Sequence, residues 1–415
     1  MRNTELNIIP HRKSHNCKMN YWQLGILFLF PVLSCYGYTY VGFNLTLIKA
    51  LYFISVPIMI VYVIGLWTVK QKNNSYFYCM SFILLSTVLS ILMAYLFSEQ
   101  SLGLGYRATA PYLAIIFYFY LLKTRPVLKQ IEIFVWIFAG IYIVLWLYGI
   151  SKAPEIVFGD VDGYISDSRG VFRLRLPGRA CVVLAFFLAL NKYVVTHKTF
   201  FLTLSIFLFT IIVLQVTRQI ILFSFLVGIC YLLLSDRKAW VYLIIIGCVF
   251  ILFLSLNKRI IPEDSVIGQM LSLTGSQVDD QKSGEDDVRI QEYRFFFNDF
   301  SKNLITDIFG NGVPHHDSKY GRYYVDTVQD VYRFFLSDVG YAQMFAVTGW
   351  VGLLLYLFLF LRVARQKVPS VVMFAKLFVI YQIFANIAAS WYTHDVICIC
   401  VCIYVLSVYN GKKIR

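Results

Sequence analysis

Residues Arg289–Gly352 read RIQEYRFFFNDFSKNLITDIFGNGVPHHDSKYGRYYVDTVQDVYRFFLSDVGYAQMFAVTGWVG. The stretch begins as an amphipathic segment, Arg289–Ile308, whose Phe295, Phe296, Phe297 and Phe300 make an apolar patch suited to the membrane surface. It breaks at Phe309-Gly310-Asn311-Gly312 and passes a polar loop with His315, His316 and Asp317. It then enters an apolar run at Ser337-Asp338-Val339-Gly340. Polar, aromatic and cationic groups meet here, whereas the other long segments are apolar.

That contrast decides the class. The chain has 415 residues, 59% hydrophobic and only 14% charged, where a soluble domain carries about 25% charged residues. The reading is an all-α polytopic membrane protein, one integral-membrane domain over 1–415. About 20 apolar residues cross a bilayer. Candidate spans are Trp22–Tyr40, Leu47–Trp67, Tyr78–Phe97, Tyr106–Leu122, Ile131–Ile150, Pro177–Val195, Thr199–Val216, Gln219–Ser235, Ala239–Asn257, Asp338–Leu361, Ser370–Ala389 and Thr393–Tyr409. The first is read as a retained span, because no small-residue cleavage pattern follows it.

The net charge of +14 follows the connections and gives no reason to invoke nucleic acid. Nineteen lysines and arginines lie in or beside one set of short connections and the two ends, against Lys49, Arg107 and Arg218 on the other side. Such asymmetry puts both termini in the cytoplasm. It leaves the long loops 151–176 and 258–337 outside, the second just before the tenth span. The nine cysteines avoid both loops, which argues against a disulfide framework. Cys398, Cys400 and Cys402 alternate and so point in different directions on a helix, as packing residues do.

The outer side carries the candidate chemistry. Arg169, Arg173, Arg175 and Arg179 run through Pro177-Gly178 into a span. Guanidinium forks bind phosphate oxygens in pairs; the alternative is pairing with Glu155, Asp160, Asp162 and Asp167 of the same loop. Arg218 sits in a tight turn at a helix start, where free N–H groups favour an anion, or else it snorkels at the interface. Arg289 and Arg294 reach either an anionic lipid or Glu285, Glu292 and Asp299. His315 or His316 offers a general base titrating near neutrality. Asp338, beside Tyr341 and Gln343 at the lip of the tenth span, offers a carboxylate that desolvation would make basic, and also an N-cap, as does Ser337. His394-Asp395 is a third candidate base. The register from Asp279 places Ile290 where a calcium loop needs a carboxylate, and no metal site or cofactor is expected.

Several of these features resemble the O-antigen polymerase and ligase superfamily, the Wzy-type polymerases in particular. They are the roughly twelve spans, the arginine-rich loop ending in Arg179, the Thr217-Arg218 turn, and Phe309-Gly310-Asn311-Gly312 followed by Gly349-Trp350-Val351-Gly352. The resemblance implies a bacterial inner-membrane glycosyltransferase with its site facing the periplasm. It would join oligosaccharide repeat units carried on undecaprenyl pyrophosphate for O-antigen, capsule or exopolysaccharide. The site would comprise Arg169, Arg173, Arg175, Arg179, Arg218, Arg289 and Tyr341 on the pyrophosphate and substrate, with Asp338, His315 or His316 as base. A chain-length regulator and a flippase would be partners. Ligases of this superfamily carry a His-Asn pair where Ser337-Asp338 stands, so the polymerase is favoured over a ligase transferring polymer to lipid A core or protein. The second alternative is a polysaccharide flippase. It would bury charges in mid-span, where Lys376 is the clearest case.

Overall fold

The computed structural model describes residues 19–39, 42, 44–68, 74–152, 155, 157–158, 174, 176–215, 217–235, 288–388 and 395–409. The span expected at Ala239–Asn257, most of both long loops, and Arg169, Arg173, Arg175 and His394 lie outside them. Every regular element among the described residues is helical. In chain order they are α1 Tyr21–Ser34, α2 Leu45–Val63 (continued by Gly65–Thr68), α3 Ser75–Ser98, α4 Leu102–Leu113, α5 Ile116–Thr124, α6 Leu128–Ser151, α7 Ala180–Thr196, α8 Thr199–Leu214 and α9 Arg218–Ser235. They continue with α10 Val288–Asn298, α11 Leu304–Phe309, α12 Lys319–Tyr323, α13 Gly340–Arg365, α14 Met373–Ala385 and α15 Val396–Val408.

Helices stand at eleven of the twelve expected positions, but they are unequal. Five are long and apolar enough to cross a membrane: Leu45–Thr68, Ser75–Ser98, Leu128–Ser151, Arg218–Ser235 and Gly340–Arg365. Five more are apolar but only 10–17 residues long. At about 1.5 Å per residue, the 13 residues of α15 cover about 20 Å of a hydrocarbon layer roughly 30 Å thick. The expected span Tyr106–Leu122 is two helices, α4 and α5, joined at Ala114-Ile115. Pro111 lies in the last turn of α4, and the junction is closed by tighter i→i+3 bonds, Ala114 N–H to Pro111 O at 3.3 Å and Ile115 N–H to Tyr112 O at 3.4 Å.

Burial sorts the bundle into layers. From Ala180 to Asn191, α7 is buried on every side, as is α15 from Val396 to Leu406 and α5 from Ile116 to Leu121. A helix apolar all round belongs in an interior. Around them α2, α8 and α9 expose Leu51, Ile54, Ile58, Phe207, Leu222 and Phe225, the outward face a bilayer would cover. The cysteine reading holds: Cys398, Cys400 and Cys402 are buried and free, with Cys398 Sγ at 3.4 Å from Cys181 Sγ.

Polar contacts collect at the two ends of the bundle. At one end Lys192 pairs with Glu132 at 2.7 Å, Tyr76 bonds Gln366, and Arg362 lies 4.7 Å from the Tyr76 ring centre. Lys376 belongs to this end: it stands one turn into α14 and donates to the Gln366 carbonyl at 2.7 Å. It is therefore not a mid-span charge. The opposite end carries the starts of α7, α9, α13 and α15 and the end of α14, and the candidate site is there.

The amphipathic segment differs from one continuous helix. It is α10, a turn, and α11. The turn forms because the Phe295 carbonyl accepts both the Asp299 and Phe300 N–H groups, while the Asn303 side chain caps α11 by accepting from Thr306 N–H at 3.0 Å.

Candidate functional site

Gly349 interrupts α13 with φ 68° and ψ −171°. The interruption frees carbonyls, and the loop after α11 uses them. Asn311 N–H donates to Ala346 O at 2.8 Å and Gly312 N–H to Val347 O at 3.1 Å. Gly310 itself has φ +88°, and a side chain there would run into the Val347 backbone. The two glycine motifs, some forty residues apart, are thus two halves of one backbone junction. It fixes α11 and the following loop against the buried first half of α13.

Arg179 stands immediately before α7. Gly178 precedes it with φ +89°, and the space where a side chain would go is filled by the Tyr38 ring and Cys35 Sγ, at 3.2 and 3.3 Å from where a Cβ would lie. Held there, Arg179 Nη1 donates to Thr217 Oγ1 at 3.0 Å. Thr217 also donates to the Gln215 carbonyl at 3.3 Å, closing the turn that presents Arg218 as the first residue of α9. Gln219 comes next. With its amide oriented to suit both neighbours, its oxygen accepts from Arg289 Nη2 at 2.7 Å and Nη1 at 3.0 Å, and its nitrogen donates to Ala388 O at 2.7 Å. One chain of hydrogen bonds and adjacent residues therefore runs from Arg179 through Thr217, Arg218 and Gln219 to Arg289.

The end of α14 anchors the arrangement. Its last carbonyls have no partner inside the helix. Tyr341 donates to Ile383 O at 2.7 Å, Tyr293 to Ile387 O at 2.6 Å, and Gln219 to Ala388 O. Helices α9, α10 and α13 are thereby tied to one helix terminus. Burial pushes the Tyr293 hydroxyl up to about 12, so it remains a donor at neutral pH. Gly340 opens α13 so close to Asn386 that a side chain would collide with it.

Residues 203–357 match the family model described as O-antigen ligase. That match runs from within α8 into α13 and covers less than half of the chain. It includes Thr217, Arg218, Gln219, Arg289 and both glycine motifs, and leaves Arg179 outside. It supports the O-antigen ligase/polymerase superfamily and a glycosyltransferase-like enzyme acting on polysaccharides. No curated protein matches the chain.

Within the O-antigen ligase match, the three candidate bases are not joined to the arginines by hydrogen bonds. Asp338 is exposed, and its Oδ1 accepts from Ser337 Oγ at 3.2 Å. The desolvation anticipated for it is absent. Nor does Asp338 or Ser337 cap α13, whose N-cap is the extended Val339. His315 and His316 sit elsewhere, over the α3–α4 turn. Gln100 Oε1 accepts from His315 N–H and Ser318 Oγ, each at 2.8 Å, and its Nε2 donates to Val313 O at 2.9 Å. The imidazoles stack at 4.5 Å. Burial, helped by the neighbouring His316, lowers the His315 pKa below the ordinary imidazole value, so its ring is neutral at neutral pH.

Adjacent histidines on one helix would diverge. In this loop the ligand atoms of His315, His316 and Asp317 converge to within 4.8 Å of one another. His315 Nδ1 already accepts Asp317 N–H at 3.2 Å, and His316 and Asp317 are exposed, so the grouping has a sufficient account as a loop turn. In the sequence Gln219 reads only as a neighbour of Arg218. Its link to Arg289 spans seventy residues, and no local pattern announces it.

Proposed function

We propose that the chain is a polysaccharide polymerase of the bacterial inner membrane. It joins oligosaccharide repeat units carried on undecaprenyl pyrophosphate, at a site facing the periplasm. The observation that carries this reading is the run at one end of an apolar bundle in which Arg179 bonds Thr217, Arg218 and Gln219 follow in the chain, and Gln219 bonds Arg289. Three guanidinium groups on separate helices suit a diphosphate, whose oxygens accept paired N–H donors. Tyr341 is held at the same end by its bond to the Ile383 carbonyl, and Arg169, Arg173 and Arg175 precede Arg179 in sequence.

In the reaction the acceptor sugar hydroxyl attacks the anomeric carbon of the donor. The carbon–oxygen bond to the lipid diphosphate breaks, and its electron pair leaves with the diphosphate. The hydroxyl proton passes to a base, for which the sequence offers Asp338, His315 or His316, and His394-Asp395. The arginines stabilise the negative charge as it grows, which in comparable electrostatic sites is worth about two to three powers of ten in rate per donor.

A second reading is favoured by the description of the matched family: a ligase that transfers finished polymer to lipid A core or protein. Against it, Ser337-Asp338 replaces the His-Asn pair of ligases. Arg218→Ala separates these readings in cells lacking the native gene. A polymerase leaves single capped repeat units and no ladder. A ligase leaves long chains on the carrier lipid, and a flippase leaves repeat units facing the cytoplasm. An intact surface ladder from Arg218→Ala would refute the proposal.

A further inference from the structure

Charged groups mark where α3 and α13 meet the two faces of a bilayer. At one face Arg362 stacks 4.7 Å from the Tyr76 ring centre. At the other, Glu99, the residue after α3, pairs with Lys319 at 2.6 Å. The 24 residues of α3 between them extend about 36 Å, enough for a hydrocarbon layer of roughly 30 Å. Both helices then measure depth. A Cβ added to Gly312 would land on the Ser90 carbonyl and the Ala94 side chain, which puts the loop after α11 about 8–14 Å below Glu99. A Cβ added to Gly349 would meet the Ile308 carbonyl and the Gly310 nitrogen. Gly349 stands about 20 Å along α13 from Arg362, and so about 10 Å below the same face.

At that depth a non-helical backbone is stable only where protein satisfies its polar groups, and this one is satisfied. Gly310 N–H donates to Thr306 O at 2.8 Å, and Asn311 and Gly312 N–H use the α13 carbonyls. Gly312 O accepts from the Tyr320 hydroxyl at 3.3 Å, and Val313 O from Gln100 Nε2. Gly310, Asn311 and Gly312 are buried. Helix α11 is different: Leu304 is 73% and Ile305 47% exposed, and Phe309 is exposed as well. At about 3.6 residues per turn, Leu304, Ile305, Ile308 and Phe309 share one side of α11. Buried Thr306 and half-buried Asp307 lie on the other. Beside this contact, Trp350 and Leu354 are exposed on α13. The phenylalanines that read in sequence as a membrane-facing patch do not share the surface. Phe296 and Phe300 are buried with Tyr320 and Tyr324, and Phe297 stacks on Phe345 at 4.8 Å.

We propose that α11 and Phe309–Gly312 form a re-entrant segment in the outer half of the bilayer, with Leu304, Ile305 and Phe309 against phospholipid acyl chains. Lipid is the occupant because this apolar face lies below the level of Glu99 and Lys319 and continues the exposed apolar side of α13. The segment turns at Gly310–Gly312 on the carbonyls that Gly349 releases. It returns to the surface where Gln100 holds Val313 O and His315 N–H. Asp307 stands on the side away from the acyl chains, where a carboxylate avoids the cost of hydrocarbon. The proposal is independent of the polymerase reading, since it concerns how the chain sits in the membrane and not what it transfers.

The test installs the photoreactive residue p-benzoyl-phenylalanine in place of Ile305, of Leu354 on α13, or of His316, whose side chain is 77% exposed in the loop that follows. The full-length proteins are irradiated in nanodiscs of phosphatidylethanolamine and phosphatidylglycerol, and lipid adducts are measured by mass spectrometry. The probe at Ile305 should give acyl-chain adducts within about threefold of the yield at Leu354 and about tenfold or more above that at His316. A yield at Ile305 no higher than at His316 would overturn the proposal. Should the protein with the probe at Ile305 not accumulate, Leu304 takes its place with the same two outcomes. A second measurement uses no probe. Ile305→Asp brings a carboxylate among acyl chains and should lower membrane abundance about threefold or more, while His316→Asp leaves it unchanged. Equal abundance of these two variants is the contrary result.

Discussion

At the scale of single residues, the site depends on groups that face each other across long stretches of chain. Gln219 is the clearest. Its amide meets Arg289 on one side and the Ala388 carbonyl on the other, so it sets the guanidinium of α10 against the end of α14. Hydrogen bonds to a charged group contribute about 1.5–3 kcal/mol. Gln219→Leu should therefore reduce polymer formation about tenfold or more while membrane abundance stays normal, as read from glycan ladders beside an immunoblot. A normal ladder from Gln219→Leu would show that Arg289 is placed by other contacts. The arginines were legible from sequence, since cations at a helix start or a span lip stand out against an apolar background. Their partners were not. Thr217 to Arg179 and Gln219 to Arg289 are tertiary pairings, and a sequence records which residues are polar without recording which ones meet. Asp338 shows the same limit: a lip position allows a carboxylate to be desolvated, and here it is exposed.

At the scale of elements, the junction of Gly310, Gly312 and Gly349 is the feature on which the site's frame rests. All three have φ between +68° and +88°, where a side chain is strained. At Gly310 the added carbon also meets backbone, which cannot move aside. Gly310→Ala should lose the roughly 1–3 kcal/mol of such strain and more from the collision, giving a lower thermal midpoint and less protein in the membrane. Gly103→Ala in α4, where a new carbon meets nothing within 4 Å, serves as the control and should be neutral. Equal stability of the two variants would remove the junction from this account. The first glycine motif is visible in sequence as a break and the second only as a likeness inside an apolar span; that they close on each other required the fold. The Phe-rich segment was visible as amphipathic, yet its division into α10 and α11 turns on Asn303, a cap that also reads as ordinary helix-surface polarity.

At the scale of the whole molecule, the charge asymmetry and apolar runs gave the class and the places of nearly all the described helices. They did not give helix length. Runs of similar hydropathy become both long outer helices and short buried ones, because an interior position and a lipid-facing position ask for the same side chains. Arg362, Lys192 and Lys376 make their contacts at one end of the bundle, and Arg179, Arg218 and Arg289 stand at the other. That gathering makes a direct prediction about ligand. Purified protein in lipid nanodiscs should bind undecaprenyl pyrophosphate, and Arg179→Ala, Arg218→Ala and Arg289→Ala should each weaken the affinity about tenfold or more, the equivalent of one charge-assisted hydrogen bond. Binding unchanged in all three variants would contradict the claim that these arginines hold the diphosphate.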